Sequence, residues 1–255
     1  DGGYRFTGTK IFTSLAPVWT RIGLHGLDTT SPDGPWMVYA FVDRPEAGAD
    51  DEASIVPRDD WNTVGMRATQ SRTTELHGAY APPSRVVRRV APGPSPDPIV
   101  FGIFSAFELL LAAAYDGIGA RALELAVATV RTRRSKQSGT TYSQDPDIRW
   151  RIADAALAHD AIAPQIRALA RDVDALVDHG PRWFSLLSGV KVRSTATARK
   201  VVDDAIRVSG GSSYFASNEL SRLYRDVLAG IFHPSDDESA HSTMATALLG
   251  PIERA

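Results

Sequence analysis

Three groups of residues in this 255-residue chain have the types and spacing to do chemistry. The first is Gly210-Gly211, inside Arg207-Val-Ser-Gly-Gly-Ser-Ser-Tyr214, with Arg225-Asp226 following in the next helical register. Paired glycines at the end of an apolar-periodic helix allow positive φ. They can bring bare N–H groups against a ligand, usually an anion or a cofactor edge. The same pair also reads as a Schellman stop before a helical hairpin. The second group is Glu108, a carboxylate within the apolar run Phe107–Tyr115, where an unpaired charge is costly. It reads either as a functional group or as part of the exposed stripe of an amphipathic helix. The third is cationic: Arg131, Arg133 and Arg134 close a long helical pattern, where positive charge opposes the helix dipole.

The elements that must position these residues fall into two halves. Residues 1–95 carry short alternating runs, Tyr4-Arg-Phe-Thr7, Lys10-Ile-Phe-Thr13, Trp36–Val42 and Thr74–His77, punctuated by Gly2-Gly3, Asp33-Gly34 and Pro82-Pro83. They predict a small antiparallel β-barrel or sandwich. Ala91–Pro98 is proline-dense and predicts a stiff joint. From residue 96 to 255 the period changes to 3.6, with helices expected near 102–134, 146–178, 182–208, 218–231 and 236–249. Long helices with short loops predict an antiparallel bundle, so the fold class is α+β with two domains. Asp236, Asp237 and Glu238 read as charges at the start of the last helix.

Composition narrows the function classes. A net charge of −2 without a basic stripe leaves no nucleic-acid footprint. Zero cysteines exclude disulfides, thiolate catalysis and cysteine-ligated zinc or iron–sulfur clusters, and no metal site is expected. No uninterrupted apolar run reaches a membrane span and no signal peptide is visible, so a cytoplasmic location is expected. The opening Asp1-Gly-Gly-Tyr-Arg-Phe-Thr reads as the middle of a β-hairpin, as in a piece of a longer chain.

Several segments together resemble the acyl-CoA dehydrogenase superfamily. Gly3–Ser14 resembles the hairpin whose second strand lies beside the flavin ring. Gly65–Leu76 with Ala81–Val87 resembles the strand pair that closes the β domain. Gly117-Ile-Gly-Ala-Arg-Ala-Leu123 resembles the small-residue face of the first bundle helix, and the Gly210-Gly211 turn resembles the one that touches FAD held by a neighbouring subunit. The resemblance covers the middle β domain and the C-terminal helical domain; the family's N-terminal helical domain has no counterpart in these residues. It implies FAD as cofactor and a homodimer, tetramer or heterotetramer. Phe12 stands where many relatives have a flavin-stacking Trp, with Thr13 and Ser14 able to bond the flavin edge. Arg133 and Ser135 stand where the family contacts the FAD pyrophosphate, although Lys136-Gln137-Ser138-Gly139 replaces the usual Phe-Gly.

The implied reaction is α,β-dehydrogenation of an acyl-CoA, with electrons passing to an acceptor flavoprotein or to oxygen. It needs a carboxylate base. The usual Glu is absent: nine residues after Arg225 stands Pro234. A second lineage places the base at the position of Phe107, beside Glu108. His233-Pro234 resembles instead the flavin monooxygenase branch, where a histidine assists oxygen chemistry. Three functions are therefore carried forward: a dehydrogenase using Glu108, a reduced-flavin monooxygenase using His233, and a base-less subunit completing a partner's FAD site.

Overall fold

The computed structural model describes residues 2–93 and 95–253. Asp1, in the opening segment, and Pro94, in the proline-dense joint, lie outside the described residues. The chain divides into two compact units, one through Gly102 and one from Ile103 onward.

The first unit contains β1 (Tyr4–Thr13), β2 (Arg21–Asp28), β3 (Trp36–Asp43), β4 (Ile55–Pro57), β5 (Arg72–Ala81) and β6 (Val86–Val90). They form two three-stranded antiparallel sheets, β1-β5-β4 and β2-β3-β6. Of the two architectures expected, this is the open sandwich, with no closed barrel among the described residues. Period-2 alternation sends Val38, Ala40 and Val42 inward from β3, where they meet Phe6, Leu24, Ile55 and Leu76 from four other strands.

Two strand expectations need correction. Gly3–Ser14 is no hairpin: Tyr4–Thr13 is one strand, interrupted by register shifts and paired along its length with β5. The strands matched to Gly65–Leu76 and Ala81–Val87 lie in different sheets. The sequence reading also missed β2, whose Gly23 and Gly26 lower its strand signal. Gly26 is required by close approach, since a Cβ there would stand 2.9 Å from the Phe6 ring.

The second unit is built on α1 (Pro98–Thr132), α2 (Pro146–Asp160), α3 (Ile162–Asp174), α4 (Arg182–Ser209), α5 (Glu219–Val227) and α6 (Asp237–Leu249). The single helix expected over 146–178 is broken at Ala161. Pro164 lies three residues further on and cannot donate the backbone hydrogen bond that would carry one helix through. Asp145 caps α2, which opens on Pro146, and accepts from the backbone N–H of Asp147 and Ile148. Asn218 caps α5 and Asp236 caps α6, so the acidic cluster at 236–238 starts that helix as expected.

By length and composition α1 could cross a membrane, a property masked in the sequence by Glu108 and Asp116. Its buried residues, Ser105, Glu108, Ala112, Tyr115, Gly119, Ala122, Ala126 and Val130, form one helical stripe. That stripe packs as a bundle helix: Ser194 of α4 donates to the Ala112 carbonyl at 2.6 Å, and Gly119 lets Ala198 and His159 approach.

Leu76 is the largest of the almost fully buried side chains in the sandwich core. Leu76→Ala is expected to destabilise the protein by about 2–5 kcal/mol, read as a lower urea midpoint with unchanged m-value.

Candidate functional site

The candidate residues of the first unit gather at the end of β1. Register with β5 is lost between Lys10 and Thr13, and Phe12 takes φ 55°, a left-handed conformation uncommon for a non-glycine residue. The irregularity turns the ring outward. Phe12 is 68% exposed and meets Trp61 edge-on at 6.3 Å, whereas an inward, core aromatic was the ordinary expectation for a strand. Thr13 is the buried residue instead, and its Oγ1 has no hydrogen-bond partner. The Ser14 hydroxyl is paired with that of Ser71 at 2.9 Å. A cleft of about 350 Å³ runs along this edge, lined by Lys10, Phe12, Thr13, Trp19, Arg21 and His25 among others. Lys10 donates to the His25 carbonyl at 2.6 Å. Burial lowers the Lys10 pKa, and burial together with the Lys10 charge lowers that of His25.

In the second unit Arg133 and Gly210 meet within one chain. Gly210 ends α4 with φ 68°, and a Cβ there would stand 3.0 Å from Arg133 Nη1. That nitrogen donates to the Ser209 carbonyl and, at 3.3 Å, to Ser212 Oγ, while the guanidinium lies over the Tyr142 ring at 5.2 Å. Gly211 has open space around it and no positive φ, so only the first glycine of the pair is conformationally demanded. Ser135 is used locally, its Oγ accepting from the backbone N–H of Gln137 and Ser138. The Ser209 hydroxyl is buried without a partner.

Glu108 and His233 come together through residues the sequence reading did not single out. Glu108 is 0% exposed, which rules out the exposed-stripe reading. Its Oε1 accepts from the Ser235 backbone N–H at 3.0 Å and from Ser235 Oγ at 2.8 Å. Lys191 of α4, also 0% exposed, donates to the carbonyls of Gly230 (2.9 Å), His233 (2.7 Å) and Ser235 (2.7 Å). Burial lowers the Lys191 pKa, and the negative charges of Glu108, Asp237 and Asp236 act against that shift. His233 Nδ1 lies 2.9 Å from the hydroxyl of Tyr115, one helical turn pair along α1 from Glu108. Burial, then the Lys191 charge, lowers the His233 pKa. The signal available in sequence was register alone: Lys191 shares the inward stripe of Leu187, Ser194 and Ala198, and Tyr115 that of Glu108 and Ala112.

An open β-sandwich unit followed by a helical unit whose first and fourth helices hold the 230–235 loop defines the class. Residues 109–237 match the acyl-CoA dehydrogenase C-terminal domain, and the chain belongs to that family. It is 26% identical to L-evernosamine nitrososynthase of Micromonospora sp. over 234 residues, 91% of this chain and 53% of that relative. It is 28% identical to dibenzothiophene monooxygenase of Mycolicibacterium goodii over 256 residues, 91% of this chain and 58% of that one. It thus spans little more than half the length of these relatives. The fold is similar to KijD3, solved in complex with FMN and dTDP-3-amino-2,3,6-trideoxy-4-keto-3-methyl-D-glucose. That match has a TM-score of 0.83 at 23% identity and covers 99% of this chain and 61% of the other.

Lys191→Met is expected to cost about 3–5 kcal/mol, because it leaves Glu108 buried without its compensating cation and strips three carbonyls of their donor. Chemical denaturation of the two proteins at neutral pH measures this. The histidines add a pH dependence. His25 and His233 have native pKa values below the ordinary ~6.5, so the unfolded chain takes up protons first as pH falls. Their contribution to stability is complete above about pH 6.5 and is lost as pH falls toward the native values. Thermal midpoints at a series of pH values should therefore drop on acidification, and His233→Gln should flatten the drop.

Proposed function

We propose that this chain forms part of a flavin-dependent monooxygenase with the acyl-CoA dehydrogenase fold. One observation carries the reading: among the described residues, neither position at which the family resemblance places the dehydrogenase base presents a solvent-facing carboxylate. Pro234 occupies the usual position of that base, and Glu108 is sealed from solvent with Oε1 committed to both donors of Ser235. A base must reach the proton it abstracts within about 2.6–3.2 Å, and Glu108 Oε1 is turned to a backbone amide while Oε2 is buried without a partner. The names of the two matched relatives, a nitrososynthase and a monooxygenase, support oxygen chemistry on a small molecule bearing nitrogen or sulfur.

The residues present fit a flavin. Phe12 offers an exposed aromatic face beside a cleft, suited to stacking on a planar ring. The unpartnered hydroxyls of Thr13 and Ser209 each carry a desolvation cost, about 1–3 kcal/mol, that a bound polar group would relieve. Arg133 is held through Nη1, leaving its other N–H groups available for phosphate oxygens, and Gly210 leaves the backbone bare next to it. Arg133 and Gly210 would therefore serve the same phosphate group. Ser135 is assigned a structural role, closing the turn after Arg133.

When bound, reduced flavin would supply the two electrons of the reaction, with one atom of oxygen passing to the substrate and the other to water. His233 is the protein group assigned to proton movement. Its imidazole is neutral at physiological pH, and Nε2 is the nitrogen not engaged by Tyr115.

The test uses the protein with reduced FMN, with oxygen, and with dibenzothiophene or an amino sugar nucleotide as probe. Oxygenated product is expected, falling on the order of 10²-fold or more in His233→Ala. Anaerobic reduction of bound flavin by butyryl-CoA, abolished in Glu108→Gln, would instead establish the dehydrogenase and overturn the proposal.

A further inference from the structure

We infer that Tyr115 is a positioning residue that donates its phenolic proton to His233 Nδ1 and so fixes the imidazole as the Nε2–H tautomer. The inference rests on the proposed role of His233 for its functional meaning, but its geometry stands independently.

Tyr115 is 0% exposed, and among the described residues its hydroxyl has one hydrogen-bond partner, His233 Nδ1 at 2.9 Å. Two arrangements are possible for a neutral imidazole facing a phenol. If Nδ1 carried the proton and the phenol accepted it, the phenolic O–H would be buried with no acceptor. A buried donor left unpaired is disfavoured more than a typical hydrogen bond is favoured, so the first arrangement wins. A phenol is also the better donor, because its lone pairs are delocalised into the ring, and an unprotonated imidazole nitrogen is the better acceptor.

Both partners are held in the forms this pairing needs. Burial, then the charge of Asp226, pushes the Tyr115 pKa well above the ordinary phenol range, so the proton stays on oxygen. Burial and Lys191 keep His233 neutral. The charged groups around the loop are Lys191 from α4, Glu108 from α1, Asp226 from α5, and Asp236 and Asp237 at the start of α6. Packing fixes the phenol as well: a Cβ at Gly230 would stand 3.1 Å from Tyr115 Cε1 and 2.9 Å from Thr195 Cγ2. With the ring wedged there and the His233 carbonyl held by Lys191, neither side of the hydrogen bond is free to turn away.

The consequence is directional. A ring protonated at Nε2 presents a hydrogen-bond donor to whatever faces it. His233 would then begin the reaction as a neutral hydrogen-bond donor through Nε2–H and not as base.

Nitrogen NMR of the imidazole rings in the full chain tests this without turnover. In the wild-type protein His233 should show an unprotonated, pyridine-type Nδ1 and a protonated, pyrrole-type Nε2. Tyr115→Phe keeps the ring and removes the hydroxyl, so tautomer exchange should appear and the His233 pKa should rise by about half to one unit. Tyr115→Phe should also displace the pH profile of turnover in the same direction, and the appearance of the Nδ1–H tautomer separates loss of the phenolic donor from loosened packing, which would raise the pKa alone. A protonated Nδ1 in the wild type overturns the inference whether or not the variant folds. So do a tautomer and titration left unchanged in Tyr115→Phe. Either result would leave the monooxygenase reading to its own assay.

Discussion

The second unit depends on how a fully buried ammonium is tolerated. Removing Lys191 from water carries a penalty of several kcal/mol, which only close partners can offset. Three backbone carbonyls of the 230–235 loop supply them, with the carboxylate of Glu108 close enough to contribute favourably. The arrangement is reciprocal. Those carbonyls belong to a loop between short helices, where no ladder would satisfy them, and the Ser235 amide needs an acceptor that Glu108 provides. Lys191 and Glu108 thus work as a template on which the loop is laid, with α4 presenting the donor and α1 the acceptor. Gly230 and His233 are where they are because the charges around them cannot be left unpaired.

Much of the architecture was legible in the sequence. The change of period after the proline-dense joint separates strands from helices, and the alternation in Trp36–Val42 marks the central strand of its sheet. Gly210 is legible as a left-handed helix stop because few other residues accept φ 68°. What escaped detection shares a physical cause. Lys191 is an ordinary helix former, and its burial is decided by partners 39 to 44 residues away. Phe12 was legible as a candidate flavin-side aromatic by resemblance, but local pattern did not show the irregularity against β5 that turns it outward. β2 was hidden by Gly26, which is glycine because Phe6 lies against it. In each case local propensity was overridden by a tertiary contact.

The helix-end contact of Arg133 leaves room for the proposed phosphate role. A guanidinium carries five N–H donors in a fixed fork, and a helix-end carbonyl needs only one. Nη1 binds the Ser209 carbonyl, which caps α4 from outside and locks the side chain against Tyr142. The remaining donors are thereby pre-oriented, so capping would reduce the entropy lost when an anion binds. At this turn the helix stop at Gly210 and the proposed anion cradle would share one guanidinium.

Glu108 shows how a fully buried carboxylate can anchor a loop backbone. A base needs a carboxylate with room to reach substrate and a basicity raised by an apolar site. Here the side chain is enclosed, two hydrogen bonds stabilise one oxygen, and Lys191 contributes favourable charge. Such partners fix the direction of that oxygen, which opposes the first requirement. The pairing with Glu108 anchors Ser235, two residues beyond His233. The carboxylate therefore acts on the loop through the backbone it holds, beside an imidazole whose ring is restrained by Tyr115.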